Sequence, residues 1–212
     1  MSNAMDSISK GSLPKVTIVT DRFHVQQLVS EAVQEIRILL RKKAIKEESR
    51  AILRARKNKK KKAYQPPIYE NEDTKKQLLA RSRYLLFKPG SRWTEKQKQR
   101  AAILFREFPE LQHAYNISMM FRSWYENSTN KQEAKEGLQQ WYQKVDEENI
   151  ESFLVAAESI KAYEDTILNY FNNRSTNASA ESFNAKLKGF RTLVRGVRDI
   201  KFFLFRVAKL YG

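Results

Sequence analysis

Cysteine is absent from the chain. That excludes a disulfide framework, a thiol nucleophile and any Cys-ligated zinc. Two histidines leave almost nothing for a His-rich metal centre. Only 6 Gly and 5 Pro occur in 212 residues, which argues against an all-β sandwich or barrel, where turn residues recur at short intervals. No long uninterrupted apolar run exists, so no segment reads as a membrane span. The N-terminus lacks a basic stretch followed by an apolar one, so no signal peptide is visible and a cytoplasmic location is expected. The opening Met1-Ser2-Asn3-Ala4 ahead of Met5 reads as an expression scar. With 41% apolar residues the chain can still build one ordinary core.

What the chain has in excess is positive charge, and it comes in blocks. Lys and Arg total 40 against 24 Asp and Glu, a net charge of +16. Residues 41–62 hold 12 Lys/Arg and 2 Glu, and residues 174–212 hold 9 Lys/Arg against Glu181 and Asp199. The rest of the chain is close to neutral. Two separate basic blocks of this size are the electrostatic footprint of a polyanion partner, usually nucleic acid. The plainer alternative is a solvated basic helix face plus a tail.

Residues 15–20, Lys-Val-Thr-Ile-Val-Thr, are β-branched, follow Pro14 and predict one strand. From Phe23 onward apolar residues fall at helical spacing: Val25, Leu28, Val29, Ala32, Val33, Ile36, Leu39, Leu40. Nothing breaks this helix before Pro66, so it should run to about residue 60, roughly 55 Å at 1.5 Å per residue. Its second half loses the apolar stripe and ends in Arg56-Lys57-Asn58-Lys59-Lys60-Lys61-Lys62, a segment that core packing cannot hold. Further helices are predicted from Asp73 to Phe87, from Thr94 (capping box with Gln97) to Phe108, and from Pro109 to about Glu126. Others should run from Thr129 (box with Gln132) to about Val145, from about Glu148 to Phe171, over 179–190 and over 199–211. The aromatics Trp93, Phe105, Phe108, Tyr115, Phe121, Trp124, Trp141 and Tyr142 sit at helical spacing and read as core; base stacking on one or two is the sharper alternative.

Two segments carry candidate chemistry. Thr20-Asp21-Arg22-Phe23-His24-Val25 lies where the strand meets the long helix, and catalytic groups gather at such strand ends. The plain reading of Asp21 is a helix N-cap, and that of His24 a partly buried histidine. The second segment is Arg174-Ser175-Thr176-Asn177-Ala178-Ser179-Ala180-Glu181-Ser182-Phe183-Asn184. An apolar stripe of Phe183, Leu187, Phe190 and Val194 faces a core, and Glu181 lies about 160° round from Phe183, on the same side as Asn184. Its plain reading is a first-turn glutamate favoured by the helix dipole.

Taken together, TDRFHV, the long helical stretch and the NASAESFNAKLKGF…RGVRDIKFFLFR ending resemble bacterial insertion-sequence transposases of the DDE superfamily, specifically the ISL-three group. The resemblance runs through nearly the whole chain from about Pro14. It rests on Asn177, Glu181 and Asn184, on Arg195, Gly196 and Arg198, and on the Asp21-x-x-His24 spacing; Ser182 stands where the family usually has Gly. It implies a ribonuclease H-like (α/β) catalytic domain interrupted by a helical insertion before its last acid. Glu181 would be that last acid, and Asp21-x-x-His24 resembles the signature that follows the second. Such enzymes cleave and join DNA strands with two Mg²⁺ or Mn²⁺ ions held by three carboxylates.

On this footing the expected fold is mainly α. Residues 5–24 would be a remnant of the ribonuclease H-like domain, 25–172 a helical insertion region with a basic arm at 41–62, and 173–212 the C-terminal helices carrying the last acid. The family's earlier strands and first acid lie upstream of TDRFHV, and Asp6 does not match the second acid's surroundings. The chain is therefore expected to be the C-terminal part of a transposase, DNA-binding but catalytically incomplete, with no metal of its own. The expected site residues are Asp21, His24, Glu181 and Asn184 for catalysis, with Asp21 and Glu181 as metal ligands. DNA should meet Arg56, Lys57, Lys59, Lys60, Lys61, Lys62, Arg174, Lys186, Lys188, Arg191, Arg195 and Arg198. The alternative is a helical DNA-binding or regulatory module without catalysis, such as a transposition inhibitor. Transposon-end DNA is the expected partner. A homodimer is also expected, because the lone strand 15–20 lacks sheet partners and a second copy would supply them.

Overall fold

The computed structural model describes residues 17–57, 64–174, 178–194 and 199–211. They are mainly helical, and they fall into two units, Met1–Asn173 and Arg174–Gly212, each of which is described by itself. The first unit is built on one rod. Helix α1, Arg22–Lys57, is 36 residues long. Its first half buries Val25, Val29, Ala32, Val33 and Leu40 of the expected stripe and half-buries Ile36, while Leu28 and Leu39 are exposed. That half packs against α2 (Lys75–Arg81), α4 (Pro109–Asn127) and α6 (Glu151–Lys161). The last side chain that α1 buries is Ala44.

Local capping chemistry fixes where the other helices start. Thr74 and Thr94 each make a complete capping box, with Gln77 for α2 and Gln97 for α3 (Glu95–Glu107). The cap of α2 is thus Thr74 and not Asp73, whose carboxylate is fully buried and bound to Arg81 and Arg100. The helix expected through Phe87 also stops at Arg81 and resumes as a 3₁₀ turn, Leu85–Phe87. Pro109 opens α4 at N1 as expected. Helix α5, Lys131–Glu148, is capped by Asn130, while the Thr129 backbone N–H and hydroxyl both donate to Glu133. The single helix expected over 148–171 is three pieces: α6, α7 (Glu164–Leu168) and a 3₁₀ turn, Asn169–Asn172. Asn149, at φ 48°, ends α5 ahead of α6 in the left-handed region that asparagine tolerates, and the break between α6 and α7 falls at Ala162 and Tyr163.

The aromatics form the centre of this unit. Phe108, Tyr115, Phe121, Trp124, Trp141 and Tyr142 are buried, with Trp93 and Phe105 partly buried against them. Phe121 and Trp141 stand 4.7 Å apart, Trp124 and Tyr125 4.4 Å. Both buried indoles keep their N–H groups satisfied, Trp124 on Ala134 O at 2.7 Å and Trp141 on Ile117 O at 3.1 Å. Gly137 lets α5 approach that close: a Cβ there would lie 2.8 Å from Trp124 Cδ1.

The strand expected at 15–20 is not formed by the residues described, 17–20, which have no strand partner among the described residues. Side chain and backbone of the helical unit take its polar groups instead. The Thr20 N–H donates to Thr166 O at 3.0 Å, the two threonine hydroxyls meet at 2.7 Å, and Asn169 Nδ2 donates to Ile18 O at 3.0 Å. The expected homodimer rested on an unsatisfied strand edge, so it loses that premise. The second unit pairs α8 (Ala178–Leu193) with α9 (Ile200–Tyr211). Phe190 is buried with its ring 5.6 Å from Phe203, and Asp199 caps α9 through the N–H groups of Lys201 and Phe202.

Candidate functional site

Asp21 sits where the pinned segment 18–20 turns into α1. Its Oδ1 accepts the Phe23 N–H at 2.8 Å, so the carboxylate does cap the helix. Its other oxygen lies 3.9 Å from His24 Nε2 across the first turn. His24 is otherwise exposed, its ring edge-on to an exposed Phe23. Arg22, between the two, lies 5.2 Å from the Tyr125 ring centroid and 3.6 Å from the Glu126 carboxylate. Burial pushes the Tyr125 phenol above its ordinary pKa, so the ring under Arg22 stays neutral. Beside this corner a cleft of about 470 Å³ opens, lined by His24, Leu28, Glu31, Ser159, Tyr163 and Ile167. The result is a capping acid beside an exposed imidazole, and the imidazole lines a cleft.

Asp21 keeps one oxygen beyond the one committed to the helix cap, and an imidazole suits a hard Mg²⁺ ion less well than a carboxylate. Among the described residues no three His, Asp or Glu side chains gather closely enough to hold an ion. The side chains of Glu181 and Asn184 lie outside the described residues, although the backbone at both positions belongs to α8.

The basic block of α1 is plainer. From Arg41 to Lys57 the side chains of Arg41, Lys42, Lys43, Lys46, Arg50, Arg54, Arg56 and Lys57 are all exposed, and none has an ion pair among the described residues. The two acids of the stretch are engaged elsewhere, Glu47 by Lys75 and Glu48 by Lys76, each at 2.8 Å. Lys43, Lys46, Arg50, Arg54 and Lys57 recur at three- and four-residue steps and so share one face. On the second unit Arg174, Lys186, Lys188 and Arg191 are exposed, with Arg174 at φ 51°. Lys59, Lys60, Lys61, Lys62, Arg195 and Arg198 fall outside the described residues.

The basic arm is expected over 41–62, and the residues named one by one for DNA begin at Arg56; Arg41, Lys42, Lys43, Lys46, Arg50 and Arg54 are exposed on the same arm. Their signal was present in the charge count of 41–62, but the helix was split by its apolar stripe, which ends nearer Leu40. Sequence reading missed Arg37, Arg83 and Tyr84, because a buried arginine and a turn tyrosine have no local pattern. Comparison with known proteins gives one match: the family model of the ISL-three group, described as Transposase, aligns with residues 1–207. No curated protein and no solved structure matches.

Proposed function

The chain belongs to the ISL-three group of DDE transposases, and on that premise we propose that it holds DNA by the sugar–phosphate backbone. The basic face of α1 carries this reading. Among the described residues the eight positive side chains of the 17 positions from Arg41 to Lys57, five of them on that face, have no carboxylate to neutralise them, which is the condition under which a helix exchanges its counterions for phosphates. The stripe from Lys43 to Lys57 is about 21 Å long at helical rise, long enough to follow several phosphates of one strand. Lys59, Lys60, Lys61 and Lys62 follow it in the sequence and add four positive charges. Lys186, Lys188 and Arg191, with Arg174, Arg195 and Arg198, would make a second contact from α8 and its flanks.

In this reading the helices of 25–172 are the insertion region of a ribonuclease H-like enzyme, Asp21-x-x-His24 is the signature that follows the family's second acid, and Glu181 is its last acid. His24 lines a cleft beside the capping Asp21, and Glu181 and Asn184 stand three residues apart in α8. Strand cleavage of this class needs three acids around two Mg²⁺ or Mn²⁺ ions, and we assign the last. The part of this activity that the chain's described residues support is the hold on DNA.

Fluorescence anisotropy on a labelled duplex at rising salt tests this. Replacing Lys43, Lys46, Arg50 and Arg54 with Ala should weaken binding equally on unrelated sequences and flatten the log–log salt dependence by about 0.9 for each phosphate no longer neutralised. Affinity that ignores salt between roughly 50 and 200 mM, or an unchanged slope in the variant, overturns the assignment.

A further inference from the structure

We infer that Arg41, Arg83 and Tyr84 form a second kind of DNA contact, one that takes an unpaired nucleotide: phosphate on the two exposed guanidiniums, base on the tyrosine ring. The inference rests on the DNA-binding reading above. Arg37 is buried without a carboxylate partner among the described residues. Its Nη1 donates to Leu79 O at 2.9 Å and its Nε to Gln34 Oε1 at 2.6 Å, while Gln34 Nε2 donates to Arg83 O at 3.3 Å. Leu79 is in the last turn of α2, whose carbonyl end carries partial negative charge, so Arg37 is accounted for as a helix-end ligand.

Arg41 and Arg83 are not accounted for that way. Arg41 follows Arg37 by one helical turn, a spacing at which like charges repel. Arg83 follows the end of α2 directly. Both are exposed, and neither has an ion pair among the described residues. Their closeness registers on Arg37, whose pKa is lowered first by burial and then by Arg83 and Arg41. Arg41 and Arg83 thus flank Arg37, one a helical turn along α1 and the other one hydrogen bond beyond Gln34, with nothing negative beside them among the described residues, and an anion is the complement that this surface lacks.

Tyr84 tells which anion. Ser82, Leu85 and Leu86 are fully buried on either side of it, so the turn is firmly seated while Arg83 and Tyr84 point outward. The ring is 69% exposed, with the Arg83 guanidinium 5.5 Å from its centroid. An exposed ring amid arginines is a platform for a nucleobase. Paired bases hide their faces in the stack, so duplex DNA cannot use it. A base at an overhang or a frayed end can.

The test compares anisotropy titrations of a blunt duplex with those of the same duplex carrying a short single-stranded overhang. The chain should prefer the overhang by about 5- to 100-fold, the worth of one stacked base. Tyr84→Ala should abolish that preference and leave blunt-duplex affinity and melting temperature unchanged, while Tyr84→Trp should keep it. Arg41→Gln with Arg83→Gln should weaken overhang binding and lower its salt slope. Equal binding of the two DNAs by the unmodified chain, or an undiminished preference in Tyr84→Ala, overturns the inference and leaves the reading of the α1 face standing. A Tyr84 substitution that leaves DNA binding alone but disrupts self-association also overturns it, by making the ring a protein contact. Failure to bind either DNA overturns both.

Discussion

Replacing Asp73 with Ala should unfold the first unit at a markedly lower temperature. The carboxylate is fully buried and accepts Arg100 Nε at 2.9 Å, Asn71 Nδ2 at 2.9 Å and Arg81 Nη1. It ties the approach to α2, the end of α2 and the middle of α3 at one point. The cost falls unevenly on its partners. Arg81 is 55% exposed and can turn to water, whereas Arg100 is 23% exposed and would be left with a half-solvated charge. Breaking a buried pair by removing one partner typically costs about 3–5 kcal/mol. With Arg81 able to rehydrate, the lower end applies, about 3 kcal/mol. For a chain of this size that is a fall of roughly 6–12 °C in melting temperature. Circular dichroism melting and urea titration of Asp73→Ala and Asp73→Asn give the measurement. The Asn variant, which keeps shape and some hydrogen bonding, should fall between. A loss under about 1 kcal/mol for the Ala variant would show that the cluster is a surface network in disguise and that the reasoning is wrong.

Three further outcomes follow from geometry already described. Gly137→Ala places a methyl 2.8 Å from Trp124 Cδ1, so the indole must shift off its bond to Ala134 O; about 1–3 kcal/mol of stability should be lost, read by urea titration, and a neutral result would mean that α5 can slide. Asp21→Ala should cost about 1 kcal/mol through removal of the cap on Phe23 while Asp21→Asn costs little, so an equal loss in both variants would deny the capping role. His113 beside Glu148, at 2.8 Å, holds that carboxylate below its ordinary pKa, with Lys144 adding to the effect. A depressed acid lends stability that is present above the ordinary value of 4.5 and vanishes as pH falls through the folded value. His113→Gln should therefore melt closer to the unmodified chain in acid than at neutral pH, and a constant difference across that range would contradict the pairing.

The helical architecture was legible because its signals are local. Periodic apolar residues gave α1 its buried half, and the Thr94–Gln97 box and Pro109 marked two helix starts to the residue. What misled was chemistry that local reading cannot weigh. Asp73 has the sequence look of a cap, yet a fully buried carboxylate that joins an arginine of α2 to one of α3 does more for the fold than a cap. Thr129 lost its place to Asn130 by a single residue, since both side chains could serve and Glu133 took the first. Val-Thr-Ile-Val-Thr has the β-branched composition of a strand, but composition cannot supply a neighbouring strand; Thr166 and Asn169, far along the chain, satisfied its polar groups instead. Asp21 was found by motif and then shown to cap α1, so the two readings of that residue are compatible. Arg83 and Tyr84 were invisible because their meaning depends on Arg37, nearly fifty residues away.

Helix α1 is clamped at one end and bare at the other. Its inner half is gripped by α2, α4 and α6, Ala44 is its last buried side chain, and Glu47 and Glu48 are still tied to Lys75 and Lys76. Mechanically that is a cantilever. The span beyond Glu48 to Lys57 is about 14 Å, and the whole rod about 54 Å. A load on the tip cannot be absorbed by a joint, since the hydrogen-bonded ladder is continuous from Arg22 to Lys57. It passes to the clamp as torque, and the far end of the clamped half is the turn at Asp21. Bending or pulling of a strand fastened to Lys57 would therefore reach the Asp21 corner as tilt of a single beam, with no relay of side chains in between.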